Sequence, residues 1–356
     1  MEVLMRQWFL IFPVLLTSLL IISCKSYEDG FNRNIDSTGV YVPNSGSNTV
    51  SQLAADPKSG GLTDLGQLGV GNLPGYITVN SAGTFAYLVN TNDNLVHVYK
   101  VSKNNRKLTL SSTATTGSSP IMIAFHGSGN FAYVVNASSK TISGYSVDTT
   151  TGALTSLGVA TPMGGAPTRT PNYIAITGNY AIVTAADYAE LYLYDISATT
   201  GALSANATPT ATIGALPKWL ILLASGNNPK IFVATAGNKI ESLFFSGWSA
   251  TPTTTQVTTG ANPMVFSFNP TNTTAFVSNY DAGTVSIYSI SGITLTPTTT
   301  VSTCTNPSQS LVNSAGFLYL ICRADGKINA YSYSANSLSA IGSVTVGTTP
   351  ASIAGY

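Results

Sequence analysis

Charged residues are scarce in this chain, which has 15 Lys or Arg and 14 Asp or Glu residues among 356. They form 8% of the sequence, where about 25% is usual for a globular protein. A net charge of +1 excludes a nucleic-acid binder that works by neutralising phosphates. Two His and three Cys residues are too few for a His-rich metal centre or a disulfide-dense scaffold. We therefore expect no nucleic-acid partner, no metal ion and no other cofactor.

Hydrophobic residues, in contrast, are plentiful. They form 44% of the chain and aromatic residues form 10%, which excludes intrinsic disorder because disordered chains combine low hydrophobicity with high net charge. Glycine and tyrosine are also frequent, with 32 and 18 residues. Together with many Thr, Ser and Asn residues, this composition is typical of short strands joined by turns.

An apolar run covers residues 8–22 and follows Arg6. It contains Pro13 and is shorter than the roughly 20 residues of a membrane-spanning helix, so it predicts the hydrophobic region of a signal peptide. The run ends in the letters IISC, of which Cys24 is the last. This ending resembles the lipobox of bacterial lipoproteins, in which the Cys is lipidated. An ordinary secretory signal with an incidental Cys is the alternative.

The sequence thus predicts a lipoprotein signal peptide at residues 1–23, a polar tether at 24–38 and a folded domain at 39–356. The lipid on Cys24 would make a membrane the first partner of the mature protein. We expect the protein in the bacterial cell envelope, at the outer membrane. Disulfides are permitted in that compartment.

A repeat with a period near 46 residues runs through the folded domain. It is marked by a recurring proline, at Pro74, Pro120, Pro171, Pro217, Pro263, Pro307 and Pro350. Apolar residues stand three and five positions after most of these prolines, as Ile77 and Val79 do after the first. A spacing of two between buried positions predicts a strand.

Three more strand patterns follow in each unit, for example GTFAYLVN (83–90), VHVYKV (96–101) and TGALTSL (151–157). Four short strands per unit predict an all-β fold, a seven-bladed β-propeller with four-stranded antiparallel blades. The last unit stops at Tyr356 after one strand, and residues 39–68 carry the three patterns that it lacks. The closing blade should therefore be shared between the N- and C-terminal segments, which removes an exposed sheet edge.

The unit P-x-x-I-x-x-x-x-x-G-x-x-A-Y-V-x-N, followed by V-x-x-Y and T-G-x-L, resembles the YVTN repeat of the lactonase-like seven-bladed propellers. That family includes 6-phosphogluconolactonases and carboxymuconate-lactonising enzymes. Its Asn recurs here as Asn44, Asn90, Asn136 and Asn279. We interpret it as a turn residue that forms hydrogen bonds and tolerates left-handed backbone.

Ligands of this fold usually meet the face whose loops enter the inner strands and join second to third strands. Much of the sparse charge falls in these loops. The candidate ligand-binding residues lie beside the recurring prolines or in these loops: Tyr76, Arg169, Tyr173, Lys218, Trp219 and Arg323. Aromatic rings beside cations suit sugars or carboxylated small molecules, and a glycan or protein partner remains open. The alternative is that the aromatic residues only cover the inner strands.

The resemblance implies that an enzyme of this family carries His directly after the recurring proline. None stands there in this sequence, where the residues are Gly75, Ile121, Asn172, Lys218, Met264, Ser308 and Ala351. A lactonase needs a base to activate water, and the candidates that remain are Asp187, Glu190 and Asp325. We expect a non-enzymatic binding module. The alternative is a lactonase-type hydrolase that acts on an extracytoplasmic lactone.

Cys304 and Cys322 flank the inner and second strands of the unit led by Pro307. Because these strands are antiparallel with a turn near residues 313–316, the residue before one strand approaches the residue that ends the other. A disulfide between them is possible on this geometry, and two buried thiols are the alternative.

Overall fold

The computed structural model of the protein describes residues 38–164, 168–205, 211–223, 229–245 and 253–356. Within these ranges the chain forms thirty β-strands and no α-helix. No helix in this part of the chain has the length and hydrophobicity of a membrane span. The predicted signal peptide and Cys24 lie outside the described residues.

The strands form seven antiparallel sheets, the blades, each running from an inner strand to an outer strand. The first three strands belong to blade 7: β1 (Thr38–Asn44), β2 (Thr49–Ala55) and β3 (Leu62–Gly69). Blade 1 has β4 (Pro74–Val79), β5 (Phe85–Asn90), β6 (Leu95–Val101) and β7 (Leu108–Thr115). Blade 2 has β8 (Pro120–Phe125), β9 (Phe131–Asn136), β10 (Thr141–Val147), β11 (Leu154–Ser156) and β12 (Thr161–Pro162). Blade 3 has β13 (Pro171–Thr177), β14 (Tyr180–Ala185), β15 (Glu190–Ile196), β16 (Leu203–Ala205) and β17 (Ala211–Thr212).

The remaining blades have four strands each. Blade 4 has β18 (Pro217–Leu223), β19 (Lys230–Thr235), β20 (Lys239–Phe244) and β21 (Thr253–Thr258). Blade 5 has β22 (Pro263–Phe268), β23 (Thr274–Asn279), β24 (Thr284–Ser291) and β25 (Thr294–Ser302). Blade 6 has β26 (Pro307–Val312), β27 (Phe317–Cys322), β28 (Lys327–Ser334) and β29 (Ser337–Thr345). The last strand, β30 (Ala354–Gly355), joins blade 7.

Blade 7 closes the ring. Its inner strand β30 pairs with β1, so that Gly355 lies opposite Val40 and Ala354 opposite Tyr41. Contacts between successive inner strands run around the ring, as between β4 and β8 or β18 and β22. The predicted seven-bladed all-β propeller, with a closing blade shared between the two ends of the domain, is confirmed.

The second strands explain why so little charge is tolerated. In β5 and β9 all six residues are buried, because each strand packs against neighbouring blades on both faces. One core cluster joins Tyr133 of blade 2 to Tyr194 of blade 3, and similar clusters join other neighbours. Strands that are buried on both faces are apolar on both faces. Of the seven second strands, only β19 carries a charged residue, Lys230 at its first position.

The inner strands share a shift in register directly after the leading proline. In blade 1, Pro74 pairs with Asn90 and Tyr76 with Val89, which leaves Gly75 outside the ladder. The same shift occurs in blades 2 to 6. A bulge of this kind bends the strand and redirects the side chains that follow.

Candidate functional site

Three aromatic side chains of the inner strands lie close together: Tyr76, Tyr173 and Trp219, each two residues after its leading proline. The hydroxyl groups of Tyr76 and Tyr173 lie near each other, and each influences the pKa of the other. The rings of Tyr173 and Trp219 lie 4.2 Å apart between centroids and are tilted by 53°. Blades 1 and 3 are separated by blade 2, so the Tyr76–Tyr173 contact joins two blades that are not neighbours. We call these three residues the axial aromatic cluster.

The polar atoms of this cluster differ in how they are satisfied. Burial raises the pKa of Tyr76 to about 12 and the pKa of Tyr173 well above its usual value, so both hydroxyls stay protonated at neutral pH. The Trp219 Nε1 atom is buried and has no hydrogen-bond acceptor among the described residues. Lys218, the residue beside it, is exposed. The cluster therefore offers ring faces and one unpaired donor, and neither tyrosine can serve as a base.

Arg169 and Glu190, two residues of the predicted site, are paired with each other in blade 3. The Arg169 Nε atom donates to Glu190 Oε2 at 2.9 Å, and the Tyr192 hydroxyl donates to the same oxygen at 2.7 Å. The Arg169 guanidinium also lies 3.7 Å from the centroid of the Tyr188 ring. The hydrogen bond from Arg169 is the main cause that lowers the pKa of Glu190. A carboxylate held ionised in this way is a weak base.

The other predicted carboxylates are engaged within their own loops. Asp187 accepts hydrogen bonds from the Thr170 backbone N–H, at 3.1 Å, and from the Thr170 hydroxyl, at 3.0 Å. Asp325 accepts one from the Thr305 backbone N–H at 3.2 Å. Asp187 belongs to blade 3 and Asp325 to blade 6, so the structure does not bring the three carboxylates to one point.

The Asn that ends a second strand forms what we call the strand-end module. Asn279 Nδ2 donates to the Thr284 hydroxyl at 3.0 Å and to the Ser286 hydroxyl at 2.9 Å, both on the next strand. Its Oδ1 accepts from the backbone N–H of Gly260, three residues before the leading proline, at 3.1 Å. A Cβ on Gly260 would lie 2.7 Å from Asn279 Cγ, so only glycine permits this approach. Asn44 and Asn136 bond to Thr and Ser in the same way.

These contacts correct one interpretation of the sequence. The hydrogen bonding of the strand-end Asn is confirmed for blades 2, 5 and 7, but its left-handed backbone is wrong. Positive φ occurs instead in the turns that follow, for example at Asn48 and Asn94, and not at Asn44, Asn90, Asn136 or Asn279.

Blades 3, 4 and 6 replace the module with other chemistry. In blade 3 the Thr and Ser positions hold Glu190 and Tyr192, so the pair with Arg169 is the local version of the module. In blade 4 the Ser position holds Glu241, a residue only 4% exposed, whose Oε1 accepts from the Gly214 backbone N–H at 2.7 Å. Sequence reasoning missed Glu241, although a lone acid in the apolar strand KIESLF was a visible signal.

Blade 6 places a disulfide where the module has Gly and Asn. Cys304 lies three residues before its leading proline, Cys322 ends β27, and the two are bonded with Cα atoms 5.7 Å apart. Lys327 and Asn329 stand at the Thr and Ser positions. The disulfide takes over the link between the connector and the second strand that Asn provides elsewhere.

Two adjoining hollows open on the loop-bearing face beside this disulfide, with volumes of about 590 and 530 Å³. We call them together the blade 5–6 groove. They share Tyr280 and Asp325, and their other side chains include Asp281, Arg323 and Lys327. Arg323 therefore lies apart from Arg169, and the six candidate ligand-binding residues divide into an axial, a blade 3 and a blade 6 group.

Neither His lies at the axis. His97 is in β6, where its Nδ1 atom is 3.3 Å from the Tyr99 hydroxyl and burial lowers its pKa. His126 follows β8 on the opposite face and contacts Ser128 and Asn179.

Seven four-stranded blades, entered through proline-led inner strands and carrying polar groups on one loop-bearing face, define a seven-bladed β-propeller of the proline-led repeat type. The sequence profile of the family described as "Lactonase, 7-bladed beta-propeller" matches residues 31–169 and 175–294. The chain belongs to this family. No curated protein sequence matches it.

Several solved structures share the fold. A candidate 6-phosphogluconolactonase from Bacteroides fragilis is 17% identical, with a TM-score of 0.77 over 91% of this chain and 99% of that one. A second, from Bacteroides uniformis, is 16% identical, with a TM-score of 0.79 over 90% and 100%. A periplasmic gluconolactonase from Pseudomonas aeruginosa is 13% identical, with a TM-score of 0.75 over 90% and 99%. At these identities the likeness shows the fold alone.

Proposed function

We propose that the protein is a lipid-anchored propeller of the bacterial cell envelope, at the outer membrane, that binds a small ring-shaped ligand at the axial aromatic cluster without turning it over. The single observation that carries this proposal is the buried Trp219 Nε1 atom, which lacks an acceptor among the described residues. A buried donor without a partner costs about 1–3 kcal/mol, which a ligand oxygen at this atom would recover.

The chemistry around Trp219 favours a sugar acid as the ligand. The rings of Tyr76 and Tyr173 offer apolar faces on which a sugar ring can stack. The exposed ammonium group of Lys218 can pair with a carboxylate.

Substitution of Trp219 tests this proposal. Trp219→Phe keeps a ring but removes the N–H, and we expect it to weaken the binding of gluconate or galacturonate by about tenfold or more. Isothermal titration calorimetry would measure the affinities of the variant and of the unmodified protein. Equal affinities for the Trp219→Phe variant and the unmodified protein would reject the proposal.

Lactone hydrolysis is the second candidate function, and membership of the lactonase family favours it. The absence of His after the leading prolines and the engagement of Asp187, Glu190 and Asp325 in local contacts speak against it. A lactone panel, with Arg169→Ala and Arg323→Ala as controls, would decide. Turnover by the unmodified protein that both substitutions abolish would establish a hydrolase.

The lipid anchor is tested separately at Cys24. We expect metabolic labelling with palmitate to mark the protein and Cys24→Ser to abolish the label and release the protein from the membrane fraction. A Cys24→Ser protein that is processed and labelled as before would contradict the anchor and leave an ordinary secretory signal.

A further inference from the structure

The blade 5–6 groove gathers charges of both signs that remain unpaired. Asp281, Arg323, Asp325 and Lys327 line it. None of these four forms an ion pair with a described residue, whereas Arg169 and Glu190 do so in blade 3. In a chain with only 8% charged residues, four unpaired charges at one concave surface call for a physical reason.

The disulfide of blade 6 accounts for one of these charges, Lys327. In blades 2, 5 and 7, the Thr at the start of the third strand accepts a hydrogen bond from the strand-end Asn. In blade 6 the Cys304–Cys322 bond links the connector to the second strand, so the third-strand position does not have to provide a hydrogen-bond acceptor for an Asn. It is held by Lys327, which is exposed and reaches the groove. The substitution thus converts a structural position into a surface cation.

The walls of the groove are also fixed in place. Asn306 Nδ2 donates to the Tyr280 carbonyl at 3.2 Å, which ties the connector of blade 6 to the loop of blade 5. The Arg323 backbone N–H donates to the Asn306 carbonyl at 3.1 Å, and Asp325 accepts from Thr305. With the disulfide, these bonds hold both sides of the groove before any ligand arrives. Such preorganisation lowers the entropic cost of binding.

We propose that the blade 5–6 groove is a second ligand site, distinct from the axial aromatic cluster, and that it binds a small zwitterion carrying one ammonium and one carboxylate group. Lys327 binds the carboxylate through charge-assisted hydrogen bonds, and Arg323 attracts it from the adjoining hollow. Asp281 and the second oxygen of Asp325 bind the ammonium group. Hollows of 530 and 590 Å³ lie within the usual range for small-molecule sites and accommodate an amino acid or a dipeptide.

The site is tested with four probes on the purified full chain by titration calorimetry: L-alanine, L-alanyl-L-alanine, N-acetyl-L-alanine and L-alaninamide. We expect the first two to bind, and their relative affinity distinguishes a free amino acid from a short peptide. The acetylated probe lacks the ammonium group and the amide probe lacks the carboxylate, so each should bind about tenfold more weakly or worse.

Two substitutions on exposed residues assign the charges. Lys327→Met should weaken alanine binding by about tenfold and leave the binding of alaninamide, which has no carboxylate, almost unaffected. Asp281→Asn should also weaken alanine binding by about tenfold, but it should leave the binding of N-acetylalanine, which has no ammonium group, almost unaffected. Lys239→Met is the matched control, because Lys239 holds the equivalent position in blade 4. Failure of both zwitterions to bind at about 10 mM, or equal binding of all four probes, would overturn the proposal. Retained affinity in the Lys327→Met and Asp281→Asn variants would overturn it too.

Discussion

Asn279 and Asn90 occupy equivalent positions at the ends of two second strands, yet their amide groups are in different situations. Asn279 makes three hydrogen bonds, to Gly260, Thr284 and Ser286. Both polar side-chain atoms of Asn90 are buried without a partner among the described residues. The reason is that Leu95 and His97 stand where blade 5 has Thr and Ser.

This contrast predicts unequal costs of substitution. Asn279→Ala should lower the free energy of unfolding by about 2–3 kcal/mol, because it removes three hydrogen bonds and leaves buried partners unpaired. Asn90→Ala leaves a cavity of the same size but removes no bond, so its cost should be clearly smaller. Urea unfolding of the two variants measures the difference, and equal losses would contradict the role assigned to the module.

For single residues, the sequence predicts where equivalent positions lie better than it predicts which side chains contact each other. The 46-residue repeat located every strand-end Asn, since repetition reveals equivalent residues without any structure. It could not reveal that Arg169, expected to face a ligand, is paired with Glu190, because blades 2, 5 and 7 have Thr where blade 3 has Glu190 and so offer no comparable pair. The buried Glu241 was missed although it is the only acid in the apolar strand KIESLF.

The Arg169–Glu190 pair predicts a dependence of stability on pH. Since folding lowers the pKa of Glu190, the pair stabilises the fold above the unfolded-state pKa of about 4.3, and this contribution is lost as the pH falls through the folded-state pKa. Arg169→Met should reduce stability at pH 7 and flatten its decline between about pH 5 and pH 3. Thermal unfolding across this range measures the effect, with Lys103→Met as an exposed control. Parallel pH profiles for Arg169→Met and the unmodified protein would contradict it.

At the scale of elements, the connector into blade 6 depends on one covalent bond. The disulfide closes a loop with a sequence separation of 18 residues, so Cys304→Ser with Cys322→Ser should lower the free energy of unfolding by about 3 kcal/mol. Urea unfolding with and without reductant measures this loss. The reductant should lower the stability of the unmodified protein and leave that of the double variant unchanged, because the variant has no disulfide to reduce. An unfolding midpoint of the unmodified protein that does not change on reduction would contradict the prediction.

A designed exchange checks that the disulfide stands in for the module. Cys304→Gly, Cys322→Asn, Lys327→Thr and Asn329→Ser together rebuild the arrangement of blade 5 in blade 6. We expect this variant to be more stable than the double Ser variant under reducing conditions.

The strands themselves were largely predictable, since the alternation of buried residues repeats in every blade. The outer strands of blades 2 and 3 differ from the prediction because each is interrupted: β11 and β12 both pair with β10, and β16 and β17 both pair with β15. Outer strands contact a partner on one edge only, so their sequences carry a weaker hydrophobic pattern.

At the scale of the whole molecule, the ring closes with a substitute side chain. Blades 1, 2 and 6 begin their second strands with Phe85, Phe131 and Phe317, whereas blade 7 has Gly39 there. The ring of Tyr356 occupies the vacated space, because a Cβ on Gly39 would lie 2.7 Å from its Cε1 atom. The Tyr41 hydroxyl, which donates to the Arg106 carbonyl at 2.7 Å, lies beside the same space.

Closure should therefore be sensitive to the last residues of the chain. Tyr356→Ala should lower the melting temperature, and Tyr356→Phe, which keeps the ring, should lower it less. Deletion of residues 350–356 should cost more, because burial of Ile353 alone contributes about 1.5–3 kcal/mol. A truncated protein with an unchanged melting temperature would contradict this account of closure.

The register shift after each leading proline leaves one position of the inner strand free to vary. The residue that follows the proline belongs to no cross-strand pair in blades 1 to 6, so its replacement leaves the ladder intact. In this chain the position holds glycine, isoleucine, asparagine, lysine, methionine and serine in turn. A reactive side chain can therefore be gained or lost at this position, beside the mouth of the ring, while every strand keeps its partner.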